Sequence, residues 1–304
     1  MKNPFAGPMR PWPTLEPYGR TVALKKSGVD LFFYDTGPAE GATVLMVHGL
    51  GDEADSWRYL APELAAAHRI LAPDLPGFGR SSRPSRSLSP PFLTSVLLEL
   101  LETLDVGPAL LVGSSLGGLL CQQIALERPE KTSGLVLLDG TVVASRQALN
   151  PRLLLFMIPG VGEWMYTRLR RDPAAAYDTL RPYYADLEGL AQADADFLFK
   201  RVNERVWSDK QKGAYFSVLR QLASWTPRQQ RELPERLGRC QVPTLAIWGE
   251  HDAIISVDAA KTLIRLQPTA RLVTLPGAGH LPHQEQPKAV LNAIREDGRL
   301  LPVS

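Results

Sequence analysis

The chain has 304 residues, 44% apolar and 22% charged, with a net charge of 34 − 32 = +2, the makeup of one large or two modest soluble domains. That length buries a large core, which excludes disorder and disulfide-stapled miniature folds, and the near-neutral balance leaves no electrostatic footprint for nucleic acid or an anionic membrane surface. Two cysteines, Cys121 and Cys240, are too few for a disulfide framework or a structural zinc site and are expected as buried free thiols.

The first 17 residues carry five prolines and predict an extended arm on the surface rather than a signal peptide. The run Leu153 to Ile158 stops at Pro159 and Gly160, far short of the ~20 residues a spanning helix needs. A cytoplasmic location with no membrane insertion is expected. Thr21–Leu24 and Leu31–Tyr34 read as a strand hairpin, and Thr43–Val47 as a strand covered on both faces. A helix over Trp57–Ala67, a strand over Arg69–Ala72 and a Ser-, Pro- and Arg-rich loop over Arg80–Pro91 follow. Next come a helix over Thr94–Leu104, a strand over Ala109–Val112, a helix over Leu116–Glu127 and a strand over Leu135–Leu138. Such alternation predicts right-handed crossovers and a mostly parallel sheet.

Near Thr141 the rhythm turns purely helical, to about Glu235. Alternation then returns with Thr244–Trp248, a helix over Asp258–Leu266, a strand over Arg271–Leu275 and a closing helix over Lys288–Asp297. The expected organisation is an arm over 1–17, an α/β core over 18–140 and 236–304, and a helical insertion over 141–235.

Gly113-Ser114-Ser115-Leu116-Gly117 joins a strand to a helix as Gly-x-Ser-x-Gly. A serine on so tight a turn projects its hydroxyl above the sheet's carboxyl edge, at a helix N-terminus that favours developing negative charge. A nucleophilic serine needs a base, and the base an orienting acid. Asp252 follows the Thr244–Trp248 strand and His280 follows the next one, so both leave the sheet at the edge where ligands gather in open α/β folds. The order is Ser…Asp…His. Asp139, after the Leu135–Leu138 strand, is the rival acid. His48-Gly49-Leu50-Gly51 ends another central strand, so the Leu50 and Leu116 amides are candidates for an oxyanion hole.

These motifs, with Asp74-Leu75-Pro76-Gly77-Phe78-Gly79 and Gly279-His280-Leu281-Pro282-His283, identify a chain that resembles the α/β-hydrolase family from about Tyr18 to Asp297. The resemblance implies an eight-stranded sheet with flanking helices and a helical lid where the insertion falls. Relatives that open epoxides or displace halide carry aspartate at the nucleophile position, so Ser115 disfavours those chemistries despite Tyr183-Tyr184 in the insertion.

The expected activity is hydrolysis of a small-molecule carboxylic ester through an acyl-enzyme at Ser115, Asp252 and His280, without metal or organic cofactor. The alternatives are a carbon–carbon hydrolase of the meta-cleavage type, or a slow ligand receptor on the same fold. Because a working base must be neutral, activity should fall below about pH 6.5, where a free imidazole takes up a proton. Whether the chain is a monomer or a homodimer is open.

Residues 141–235 hold 12 of the 23 Phe, Trp and Tyr residues. Trp164, Tyr166, Phe197, Phe199, Trp207, Phe216 and Trp225 could line an apolar acyl or aryl pocket or simply glue the insertion's helices together. Arg168, Arg170 and Arg171 read as a solvated helix face. His48 is expected to position the oxyanion loop, with His251 and His283 nearby or on the surface. His280-x-x-His283 has metal-like spacing but no apparent third ligand.

Overall fold

The computed structural model describes residues 2–143 and 151–301; residues 144–150, the start of the expected insertion, and 302–304 lie outside the described residues. Eight strands form one sheet: β1 Gly19–Leu24, β2 Val29–Thr36, β3 Thr43–Val47, β4 Arg69–Pro73, β5 Ala109–Ser114, β6 Thr132–Leu138, β7 Thr244–Gly249 and β8 Ala270–Leu275. Their spatial order is β1-β2-β4-β3-β5-β6-β7-β8. Only β2 runs against its neighbours, and every pair from β4 to β8 is parallel. The central strands are buried along nearly their whole length, as apolar runs covered by helices on both faces must be. Cys121 and Cys240 are free and buried, and burial pushes the Cys121 thiol well up.

The helices, in chain order, are α1 Leu60–Leu64, α2 Pro90–Thr103, α3 Leu116–Glu127, α4 Pro151–Met157, α5 Val161–Arg168, α6 Pro173–Asp178, α7 Gln192–Trp207, α8 Asp209–Gln229, α9 Leu233–Arg239, α10 Asp258–Leu266, α11 Pro282–Glu285 and α12 Pro287–Glu296. Six of them, α4 to α9, fall between β6 and β7. No helix among the described residues is long and apolar enough to cross a membrane.

Four expectations need correction. The helix expected over Trp57–Ala67 is a 3-10 turn, Ala54–Trp57, followed by the short α1. A proline in a helix interior removes a hydrogen bond and clashes with the preceding turn, and a helix begun at Trp57 would carry Pro62 there. Helix α2 starts four residues early because Ser89 caps it, its Oγ accepting from Phe92 N at 3.4 Å. Pro90 and Pro91 then occupy positions whose N–H groups need no helical acceptor. The boundary drawn at 235 cuts through α9, whose Leu233 and Leu237 lie one turn apart and are both buried in the main core. Lastly, the N-terminal arm does not lie wholly on the surface: Leu15 is 1% exposed, and the Trp12 ring lies 4.8 Å from that of Phe197 on α7.

Candidate active site

Strand β5 passes into α3 through Ser115 alone, at φ 52° and ψ −115°. A non-glycine residue in this region is strained and is held there by its surroundings. The flanking glycines are required by contact rather than by flexibility. A Cβ on Gly117 would lie 1.9 Å from the Val47 carbonyl oxygen, and one on Gly113 would lie 2.3 Å from that of Gly117. Close packing of α3 onto β3 and β5 is what lifts the serine above the strand ends.

His280 stands in the loop after β8 with its side chain 1% exposed. Its N–H donates to Tyr183 O at 2.9 Å, and Glu285 pins the loop by accepting from Gly279 N and Ala185 N at 2.8 and 2.7 Å. Asp252 accepts at Oδ1 from Ile254 N (2.7 Å) and Ile255 N (2.9 Å), which fixes its plane. Its Oδ2 lies 2.9 Å from His280 Nδ1, and His280 Nε2 lies 2.9 Å from Ser115 Oγ. With a carboxylate as the partner of Nδ1, the neutral ring keeps its proton there and leaves Nε2 to accept from the serine hydroxyl. Asp139 sits behind this line, fully buried, with Oδ1 accepting from Gly249 N at 2.9 Å. The histidine's Nδ1 faces Asp252.

The loop after β3 runs along the serine. A Cβ on Gly49 would sit 3.3 Å from Ser115 Cβ, and Leu50 lines the cavity above it. Leu116 is the first residue of α3, so its N–H has no acceptor within the helix; its side chain is buried in the core. His48, also buried, holds the loop: Nδ1 lies 2.8 Å from Gly49 O, and Nε2 accepts from Leu75 N at 2.9 Å. Burial lowers its pKa and so keeps it neutral.

A family model for the alpha/beta hydrolase fold matches residues 42–287, which takes in every element just described. The chain belongs to the α/β-hydrolase family. It is 30% identical over 263 residues to the dihydrolipoyllysine-residue acetyltransferase component of the acetoin cleaving system of Pseudomonas putida, a match covering 86% of this chain and 64% of that longer protein. It is 26% identical to the 2-hydroxy-6-oxo-6-phenylhexa-2,4-dienoate hydrolase of Burkholderia cepacia, over 85% of this chain and 88% of that one. Among solved structures, a thermophilic esterase from Thermogutta terrifontis superposes with a TM-score of 0.70 at 26% identity, covering 91% of this chain and 97% of the esterase.

In this α/β hydrolase, a cavity of about 400 Å³ opens over Ser115 and His280. Of the seven insertion aromatics named from the sequence, Tyr166 alone lines it; the other ring-bearing walls are Phe156, Tyr183 and Tyr215. Trp164 is 58% exposed, Phe197 packs on Trp12, Phe199 on Phe5, and Phe216 on Phe156 and Tyr166. Three of the seven thus pack against other rings rather than the cavity. Tyr183 faces the His280 ring at 5.8 Å, whereas the hydroxyl of its neighbour Tyr184 donates to Gln284 Oε1 at 2.8 Å. Arg168 and Arg171 are exposed, and Arg170 pairs with Asp209 at 2.6 Å.

His251 is exposed beside Glu250. His283 is not at the surface: it is buried, 2.9 Å from Ser56 Oγ and stacked 4.7 Å from Trp57. The rings of His280 and His283 therefore serve different partners.

Sequence reasoning missed a buried ionic cluster beneath the cavity rim. On α7, Arg205 bonds Glu53 through Nε and Nη2 (2.8 and 2.7 Å) and also reaches Asp52, while Arg201 pairs with Glu53 (2.9 Å) and Asp55 (3.2 Å). Asp55 further accepts from Tyr34 OH and pairs with Arg80, which holds Asp74. The signal was present. Arg201 and Arg205 are four residues apart, hence on one helix face, and Asp52, Glu53 and Asp55 directly follow the glycine loop.

Proposed function

We propose that this α/β hydrolase is a serine hydrolase that cleaves carboxylic esters of small-to-medium apolar acyl or aryl groups through an acyl-enzyme. The observation that carries the reading is the pair of 2.9 Å contacts linking Ser115 Oγ, His280 and Asp252 at the floor of a largely apolar cavity. His280 Nε2 takes the proton from Ser115 Oγ as that oxygen bonds to the ester carbonyl carbon. The Leu50 and Leu116 N–H groups hold the resulting oxyanion; one such donor typically contributes about 10²–10³ in rate. His280 then returns its proton to the leaving alkoxide as the C–O bond breaks. A water, deprotonated by the same nitrogen, attacks the acyl carbon and releases the acid and free Ser115. Asp252 holds the imidazolium formed in each half. The helices between β6 and β7 act as a cap that shields the acyl-enzyme.

The cavity wall favours an uncharged acyl group. Among the described residues, Arg205 is the only lysine or arginine lining it, and its guanidinium is engaged by Glu53 and Asp52. A dianionic meta-cleavage substrate would find no unclaimed cation among them. Likeness to the Burkholderia enzyme keeps carbon–carbon hydrolysis as the second reading.

The test is turnover of p-nitrophenyl acetate and butyrate. Ser115→Ala should lower kcat by about 10⁴-fold or more with the fold intact. Undiminished turnover would overturn the assignment, and a single burst without turnover would favour the receptor. A panel of esters set against a vinylogous diketone separates the two hydrolytic readings.

A further inference from the structure

The acid behind the site is unaccounted for. Asp139 follows β6 at φ 49°, an uncommon conformation for a residue other than glycine, and its side chain is fully buried. Oδ1 accepts from Gly249 N, but Oδ2 has no hydrogen-bond donor among the described residues. One oxygen of Asp139, one oxygen of Asp252 and one ring nitrogen of His280 lie within 4.8 Å of one another. An ionised Asp139 would therefore place a second carboxylate against Asp252 with half of its lone pairs unmet. Like charges so close, out of water, do not both ionise.

The choice between the two acids follows from their partners. Asp252 receives two backbone N–H bonds and faces His280 Nδ1, which stabilise its anion. Asp139 receives one, and the carboxylates acting on it, Asp252 from the loop after β7 and Glu285 from α11, are both negative. The His280 ring also lies within reach and is already committed to Asp252. With a proton on Oδ2, the orphan oxygen becomes a donor and finds an acceptor in Asp252. We infer that Asp139 is a positioning residue: a neutral carboxylic acid that donates a hydrogen bond to the Asp252 carboxylate and so fixes the acid that orients His280. Burial and the adjacent Asp252 charge push the Asp139 carboxyl well above the usual range, in keeping with that geometry.

The inference rests on the proposed roles of Ser115, His280 and Asp252, and its test separates the two. Infrared difference spectra of the resting enzyme at neutral pH need no substrate. Wild type minus Asp139→Asn should show a protonated-carboxyl band, and that band should shift in Asp252→Asn, where its acceptor changes. In ester kinetics Asp139→Asn keeps an acceptor for Gly249 N and a donor toward Asp252. It should stay within about threefold of wild type, with the acid limb of kcat/KM unmoved. Asp139→Ala should lower kcat by about 10–100-fold with KM little changed, by analogy with the loss on removing a partner that orients a metal ligand.

If Asp139 were ionised, Asp139→Asn would delete a negative charge beside the imidazole, and the acid limb would move down by about one pH unit. That shift, or the absence of the carboxyl band, overturns the inference even if Asp139→Ala fails to fold. Loss of the serine reading would show instead as turnover surviving Ser115→Ala, with the infrared band still deciding Asp139.

Discussion

Burial of His283 makes the fold sensitive to acid, and replacing its ring with an uncharged side chain isolates the effect. The imidazole contacts Trp57 and Ser56, with Nδ1 unpartnered among the described residues. Desolvation lowers its pKa from 6.5 to about 3. The unfolded chain binds a proton there below pH 6.5 and the folded chain does not, so stability is complete above 6.5 and is lost as pH falls toward about 3. At about pH 5 the gap is roughly 1.5 units, or about 2 kcal/mol at 1.36 kcal/mol per unit. His283→Gln removes the titration. Its own stability offset does not matter, because the quantity read is the change with pH. Urea unfolding of both proteins at about pH 7.5 and about pH 5 gives that change, and wild type should lose about 2 kcal/mol more than the variant. His48, buried and shifted in the same direction, is present in both and cancels. Parallel losses would refute the argument, since they would mean that the ring takes up its proton without unfolding.

Two further outcomes are expected. Arg205→Met strands Asp52 and Glu53 without their shared guanidinium; breaking a buried pair in this way typically costs about 3–5 kcal/mol, and a loss below about 1 kcal/mol in urea unfolding would mean that the cluster is solvated. Leu180→Trp adds bulk to the cavity wall and should lower kcat/KM for p-nitrophenyl butyrate and longer esters by about tenfold or more while sparing acetate; equal losses on all chain lengths would place the acyl group elsewhere.

Most of the sheet was legible because its strands are continuous apolar runs whose burial on both faces leaves one reading. The three motif loops were legible for a related reason: a turn that must lift a side chain above a strand end needs glycines at fixed spacing, as Gly113 and Gly117 show. Helix α1 was misplaced because local apolar periodicity outweighed the veto of Pro62. The cavity-facing aromatics were not legible. Tyr166 and Trp164 are two residues apart on α5, yet one meets the cavity and the other solvent, and only the docking of α5 against α8 decides which. Asp139 and Asp252 were visible as rivals after adjacent strands. Which of them collects the backbone N–H groups of the Ile254–Ile255 turn is a property of the folded loop.

The arginines of α7 bear on how a substrate gets in. Arg201 and Arg205 fasten that helix to Glu53 and Asp55, next to the glycine loop, while Arg10 O and the Trp12 ring brace it from outside. Swinging α7 outward would strand several carboxylates at once, a cost that opposes opening on this flank. The facing flank is tied as well: Arg220 of α8 bonds Glu163 of α5 at 2.7 and 2.9 Å and Met157 O of α4 at 2.9 Å, so parting those helices would break a charged anchor along with the ring contacts of Phe156, Tyr166 and Phe216.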